Sequence, residues 1–181
     1  LCVSRFVAKK NHRILLEAYG RYQRAGGRWG LQLIGEGPMD SAVRAWIAAL
    51  PNPAAVGIVP FQQLDSLRDY YHAARGLILA SSSDQWGLVV NEAMAAGLPV
   101  LVSQACGCAS DLIEEGRTGF LLDPKDPDQM SQQLWRCDQL STTSLMALQF
   151  EAASRISHLS PEAFASGIVL AAESAPDRPR F

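Results

Sequence analysis

The sequence predicts an α/β fold: a doubly wound, parallel, six-stranded sheet with helices on both faces and extra helices at its C-terminal end. Two observations predict it. Short β-rich runs alternate with helical patterns from Leu1 to Leu140, the order that lays parallel strands in one layer between two helical layers. Hydrophobic residues make up 48% of the chain and charged ones 19%, which suits a packed core and argues against a disordered chain. With 181 residues the chain holds one domain with a real core. The alternation makes the sheet Rossmann-like.

The predicted strands are Cys2 to Phe6, Leu31 to Ile34, Val56 to Val59, Leu77 to Ala80, Val100 to Ser103 and Phe120 to Leu122. Between them lie predicted helices at Asn11 to Arg24, Met39 to Leu50, Leu64 to Ala74, Leu88 to Ala96 and Asp126 to Leu140. In the first, Ile14, Leu15, Ala18, Tyr19 and Tyr22 recur at helical spacing and give it an apolar face. Gly97 and then Pro99 stop the fourth. After Ser141 the alternation ends, and helices are expected near Ser144 to His158 and Pro161 to Glu173. Residues 174–181, with two prolines and two arginines, read as a loose tail. The start, Leu1-Cys2-Val3-Ser4, reads like the middle of a strand, so the chain is expected to be a fragment.

Charge narrows the function. The formal net charge is −2, so no global basic field attracts nucleic acid and any phosphate site must be local. No apolar run approaches the roughly 18 residues that span a bilayer. The four cysteines include no CxxC pair. Cys106-Gly107-Cys108 is open to a metal or redox reading, but small residues in a tight loop account for it better. His12, His72 and His158 have neither zinc-ligand nor triad spacing.

In a doubly wound sheet, ligands bind beyond the carboxyl ends of the strands. The unusual residues fall in those loops. Arg5 ends the first strand, and Lys9, Lys10, His12 and Arg13 gather where the first helix begins. Positive charge at a helix N-terminus opposes the macrodipole by about 0.3–1 kcal/mol per exposed group, and a bound anion would reverse that sign. An anion site and a solvated basic loop account equally well for this cluster. Gly35-Glu36-Gly37-Pro38 follows the second strand; its glycines allow close approach of backbone to ligand, as they would allow an ordinary turn.

The segment from Ser83 to Met94 is the most informative. Gly87 opens a helix whose first amides, on Leu88 and Val89, form an anion site. Glu92 is the only charged residue of that largely apolar helix, and such a carboxylate needs a partner. A vicinal diol of a ribose would serve; so would solvent or a salt bridge. Asp84 has the alternative of plain N-capping. A retaining-glycosidase pair needs its carboxyls about 5–5.5 Å apart, and Asp84 and Glu92 suit two ends of an extended ligand better.

Four stretches together resemble the C-terminal domain of the group 1 (family 4) retaining glycosyltransferases of GT-B architecture. They are Val3-Ser4-Arg5-Phe6 through Lys10; Leu33-Ile34-Gly35-Glu36-Gly37-Pro38; Ser83 to Met94 with Gly97-Leu98-Pro99-Val100; and Gly116-Arg117-Thr118-Gly119-Phe120. The resemblance covers Leu1 to Leu140. It implies that Arg5 and Lys10 are the catalytic cations on the donor diphosphate. It also implies that Asp84 holds donor-sugar hydroxyls, Glu92 binds the ribose, and Gly87, Leu88 and Val89 offer amides to phosphate, with Gly35 and Gly37 lining the donor site. Asp84 departs from the family's glutamate by one methylene, Asn11 stands in place of a common glycine, Cys106-Gly107-Cys108 in place of paired glycines, and Asp111 in place of a common glutamate.

The function this implies is transfer of a sugar, with retention, from a nucleoside-diphosphate sugar to a sugar or lipid-linked acceptor, with no metal or other cofactor. Residues 1–173 would be the donor-binding half, and an absent N-terminal domain would hold the acceptor. The expected location is cytoplasmic, with peripheral membrane association open. The alternatives are a nucleotide-sugar-binding module without activity and, less favoured, a GT-B sugar-nucleotide epimerase, for which no acid and base stand out. A dinucleotide-binding domain is less favoured still, since no GxGxxG follows the first strand.

Overall fold

The structure, a computed structural model, describes residues 1–173; the tail expected at 174–181 lies outside them. Six strands run in parallel: β1 (Cys2–Val3), β2 (Leu31–Ile34), β3 (Val56–Val59), β4 (Leu77–Leu79), β5 (Val100–Ser103) and β6 (Phe120–Leu122). The expected parallel α/β arrangement with helices on both faces is present, and its six strands are laddered in two groups. The hydrogen-bonded ladders are two three-stranded sheets, β1-β2-β3 and β4-β5-β6.

These meet edge to edge at one residue. The Leu1 nitrogen donates to the Gly76 carbonyl at 2.9 Å, and the Leu1 carbonyl accepts from the Ile78 amide at 2.8 Å. That is the bond pattern of a parallel pair. Across the seam the strands stand in the order 3-2-1-4-5-6, and β1 and β4 flank the point where the chain order reverses. The strand expected over Cys2 to Phe6 is correspondingly short. Past Val3 it keeps only single bonds, Ser4 N–H to Ile34 at 3.0 Å and Phe6 N–H to Glu36 at 2.9 Å. Gly35 explains the break. Its φ of 146° turns β2 away, and a Cβ there would stand 2.0 Å from the Ser4 carbonyl oxygen.

Strand residues alternate between two cores, as the two-residue period of a strand requires. Leu33, Ile78, Leu101, Phe120 and Leu122 face one cluster with Leu15, Tyr19 and Tyr22. Ile34, Leu77, Leu79, Val100 and Val102 face the other with Leu67, Val90 and Met94. Burial on both faces is why these strands read as continuous apolar runs.

The helices are α1 (His12–Arg24), α2 (Asp40–Ala48), α3 (Leu64–Ala73), α4 (Leu88–Ala95), α5 (Ala109–Leu112), α6 (Pro127–Asp138), α7 (Thr142–Ser157) and α8 (Pro161–Glu173). The short α5 and two 3-10 turns, Ala8–Lys10 and Pro53–Ala55, were not expected, being too short to show a period. Asp126 caps α6, accepting from the amides of Asp128 and Gln129. Helix α1 begins at His12 because Asn11 lies in the left-handed region, at φ 59°. Asparagine tolerates that region better than other residues bearing a Cβ. Its side-chain amide donates to the carbonyls of Ala80 (3.1 Å) and Pro124 (2.8 Å), tying the start of α1 to the loops after β4 and β6.

Candidate donor-binding site

The loops beyond the carboxyl ends of β1, β2 and β3 and the first turns of α3 and α4 enclose a cavity of about 640 Å³. Arg5, Lys10, Gly35, Gly37 and Val89, predicted from three separate stretches of the sequence, all line it. Gln62 and Leu67 complete the wall and were not foreseen, because nothing local distinguishes them from ordinary loop and helix residues. Gly37 needs to be glycine: a Cβ there would stand 2.5 Å from the Phe6 carbonyl oxygen. A larger cavity, about 780 Å³, lies at the opposite edge, among Arg28, Trp29, Gln32, Gly57 and Arg75. None of the expected site residues lines it, and it opens at the amino ends of the strands.

Lys10 comes out of the 3-10 turn and forms an ion pair with the Asp84 carboxylate. Ser81 adds a donor to the same Asp84 oxygen at 3.4 Å. Asp84 therefore does not cap α4. That position belongs to Gly87, at φ 106°, and no side chain bonds there. A Cβ at Gly87 would press on Leu79 at 2.9 Å. The amides of Leu88 and Val89 find no acceptor among the described residues, as expected of a first turn.

Cys106-Gly107-Cys108 supports the Asp84 loop. The Asp84 amide donates to Ala105 (3.3 Å), the Gly107 amide to Asp84 (3.0 Å) and the Cys108 amide to Trp86 (3.2 Å). Only glycine fits between, since a Cβ at 107 would be 1.9 Å from the Gln85 carbonyl oxygen. Both cysteines are free and buried. Burial pushes the Cys106 thiol up to about 12 and that of Cys108 to about 11, so both stay protonated near neutrality. The tight-loop reading is the one the structure holds.

Glu92 stands one turn below Val89 on α4, and the cavity wall at that level is Val89 rather than Glu92. Its Oε2 accepts a hydrogen bond from the Tyr71 hydroxyl at 2.7 Å. Tyr71 stands one turn below Leu67 on α3. The partner required by the half-buried Glu92 is therefore a phenol, not a cation. Sequence reasoning missed Tyr71, whose only signal was its place four residues after Leu67 on an apolar face. Gly116 to Phe120 sits apart from the cavity. There the Thr118 hydroxyl donates to the Leu112 carbonyl (2.7 Å) and accepts from the Glu114 amide (2.8 Å), shaping the turn into β6.

His12 is buried at the same edge. Its Nε2 meets the Ser4 hydroxyl at 3.1 Å, and its Nδ1 has no partner. Burial, with Lys10 adding like charge, lowers the imidazole to about 4. Among the described residues no group of three or more His, Cys, Asp or Glu side chains is placed to hold a metal ion, and no helix is long and apolar enough to cross a membrane.

The strand order and the loops at the carboxyl edge form a GT-B type, Rossmann-like domain. A sequence profile of the family described as Glycosyl transferases group 1 matches residues 1–137, and the chain belongs to that family. It is 43% identical over 63 residues to the D-inositol 3-phosphate glycosyltransferase of Streptomyces scabiei, covering 35% of this chain and 14% of that protein. Against an amylovoran biosynthesis glycosyltransferase of Erwinia amylovora the identity is 30% over 145 residues, 77% of this chain and 35% of the relative. The chain thus spans well under half the length of these relatives.

The fold matches the Anabaena protein Alr3699/HepE, solved with UDP, at a TM-score of 0.81 and 22% identity, over 96% of this chain and 49% of that one. It also matches the C-terminal domain of a Francisella tularensis group 1 family protein at a TM-score of 0.75 and 18% identity, over 86% of this chain and 83% of that domain.

Proposed function

We propose that this chain is the donor-binding half of a retaining glycosyltransferase that moves a sugar from a nucleoside diphosphate to an acceptor held by a separate N-terminal domain. The observation that carries the reading is the convergence of Arg5, Lys10, Gly35, Gly37 and Val89 on one cavity at the carboxyl edge, beside the free amides of Leu88 and Val89. The structural likeness to a protein solved with UDP, and with UDP-glucose, supports the ligand class.

As the glycosidic bond breaks, negative charge grows on the leaving diphosphate. Preorganised cations and amide dipoles stabilise charge that develops in the transition state more than charge already present. Arg5 supplies a planar fork suited to two oxygens, and Lys10 a point charge. In this reading the donor draws Lys10 from Asp84 onto the diphosphate, which leaves the Asp84 carboxylate to sugar hydroxyls, and Glu92 accepts from the ribose. Protein cations and amides alone meet the diphosphate charge, so the step needs no metal. Departure and attack on the same face account for retention without a protein nucleophile. The location consistent with this is cytoplasmic, at the membrane surface where the acceptor is lipid-linked.

A thermal-shift screen against UDP, GDP and ADP sugars tests the reading, since a ligand bound only by the folded state raises its stability. At least one class should raise the melting temperature; no shift with any of them overturns it. A second reading, a binding module without transfer of its own, applies to the isolated chain and is favoured by its small share of the relatives' length. Transfer from labelled donor by this chain alone would defeat that second reading.

A further inference from the structure

The Tyr71–Glu92 hydrogen bond joins α3 to α4 one turn below the cavity wall. Both helices start at the carboxyl edge of the sheet, and each presents one apolar side chain to the cavity, Leu67 and Val89. One turn further along each helix come Tyr71, 3% exposed, and the half-buried Glu92. A half-buried carboxylate calls for hydrogen-bond donors around it. Tyr71 gives one, to Oε2 at 2.7 Å. Among the described residues nothing donates to Oε1. The carboxylate is thus held by one oxygen and has the other to spend on a ligand.

We propose that Tyr71 is a positioning residue of the nucleotide site: by holding Oε2 of Glu92 it presents Oε1 to a ribose hydroxyl, and so sets the preference for ribonucleotides over 2′-deoxyribonucleotides. The inference rests on the donor-site reading of Glu92. A carboxylate pinned through one oxygen has its plane defined before the ligand arrives, so less side-chain freedom is lost on binding. Discrimination by a single hydroxyl is large when its absence leaves a buried polar group unpaired, and small when the group can turn away to water. Glu92 held by Tyr71 meets the first condition once a bound nucleotide covers its other oxygen; Glu92 without the phenol can turn away and meets the second. Burial and the neighbouring carboxylate push the Tyr71 hydroxyl up, so it remains a donor throughout the neutral range.

Titration calorimetry of this chain with UDP and GDP, each beside its 2′-deoxy form, reads the effect. The wild type should prefer the ribose form of the base it binds by roughly tenfold or more, the ratio expected of one hydrogen bond to a charged group. Tyr71→Phe keeps the ring and its packing while removing only the donor. It should bind the deoxy form about as the wild type does and let the preference fall to about two- or threefold. Glu92→Gln controls for the carboxylate and should abolish the preference. If Tyr71→Phe lowers the melting temperature but leaves the ribose preference intact, the phenol is merely structural and the inference is overturned. A wild type that binds both forms equally, or neither, defeats the reading of Glu92 itself, and the inference with it.

Discussion

Lys10 and Asp84 form an ion pair across the point where the strand order reverses, one carried by the loop after β1 and the other by the loop after β4. Both side chains are largely buried, 17% and 12% exposed. A pair so placed is less screened by salt than a surface pair, and removing one partner leaves the other charge uncompensated. Under the proposed function, this pairing keeps Lys10 in place and neutralised until an anion competes for it.

Asp84→Asn should separate these two roles. Removing the carboxylate charge frees Lys10, so UDP affinity should rise about three- to tenfold, while the lost pair should lower stability by about 3 kcal/mol. Calorimetric titration and urea unfolding read the two quantities. Weaker UDP binding would mean that Asp84 orients Lys10 rather than competing for it.

Glu92→Ala should weaken binding of the nucleotide sugar by one to two powers of ten, since a hydrogen bond to a charged group contributes about 1.5–3 kcal/mol. The Tyr71 hydroxyl is left without its acceptor in the same variant, so some loss of stability accompanies it. Unchanged affinity with lowered stability would assign Glu92 to the scaffold.

Gly35→Ala tests the turn after β2, which packs against the loop bearing Arg5. The new Cβ would collide with the Ser4 carbonyl oxygen at 2.0 Å, in a backbone conformation that L-residues rarely adopt. A loss of about 2–4 kcal/mol is expected, visible as a lower urea midpoint. A variant as stable as the parent would show that the β1 end yields.

His12 gives a pH dependence with a definite sign. Burial lowers its folded value to about 4 from an ordinary 6.5, so the unfolded chain binds the proton first. Its contribution is fully present above pH 6.5 and is lost as the pH falls from there towards 4. The amount is about 3 kcal/mol, at about 1.36 kcal/mol for each unit. Urea unfolding of wild type and His12→Gln at pH 7 and pH 4.5 should show a markedly smaller drop in the variant. Equal drops would place the acid sensitivity elsewhere.

Most of the fold could be read before any coordinates. The apolar runs at Leu31, Val56, Val100 and Phe120 became strands at the expected bounds, because strand and helix periods are local properties written into residue spacing. The positions of Arg5, Lys10, Gly35 and Gly37 were legible too, since glycines and charges beyond strand ends stand out against an apolar background. Local patterns carry no record of which distant loops touch. That Lys10 meets Asp84, that Cys106-Gly107-Cys108 braces the Asp84 backbone, and that a phenol from α3 holds Glu92 all depend on contacts between residues far apart in the chain. The seam at Leu1, which leaves two ladders instead of one, is of the same kind. Pairing partners are chosen by how helices and strands pack around the two cores, a property of the assembled chain and of no single segment.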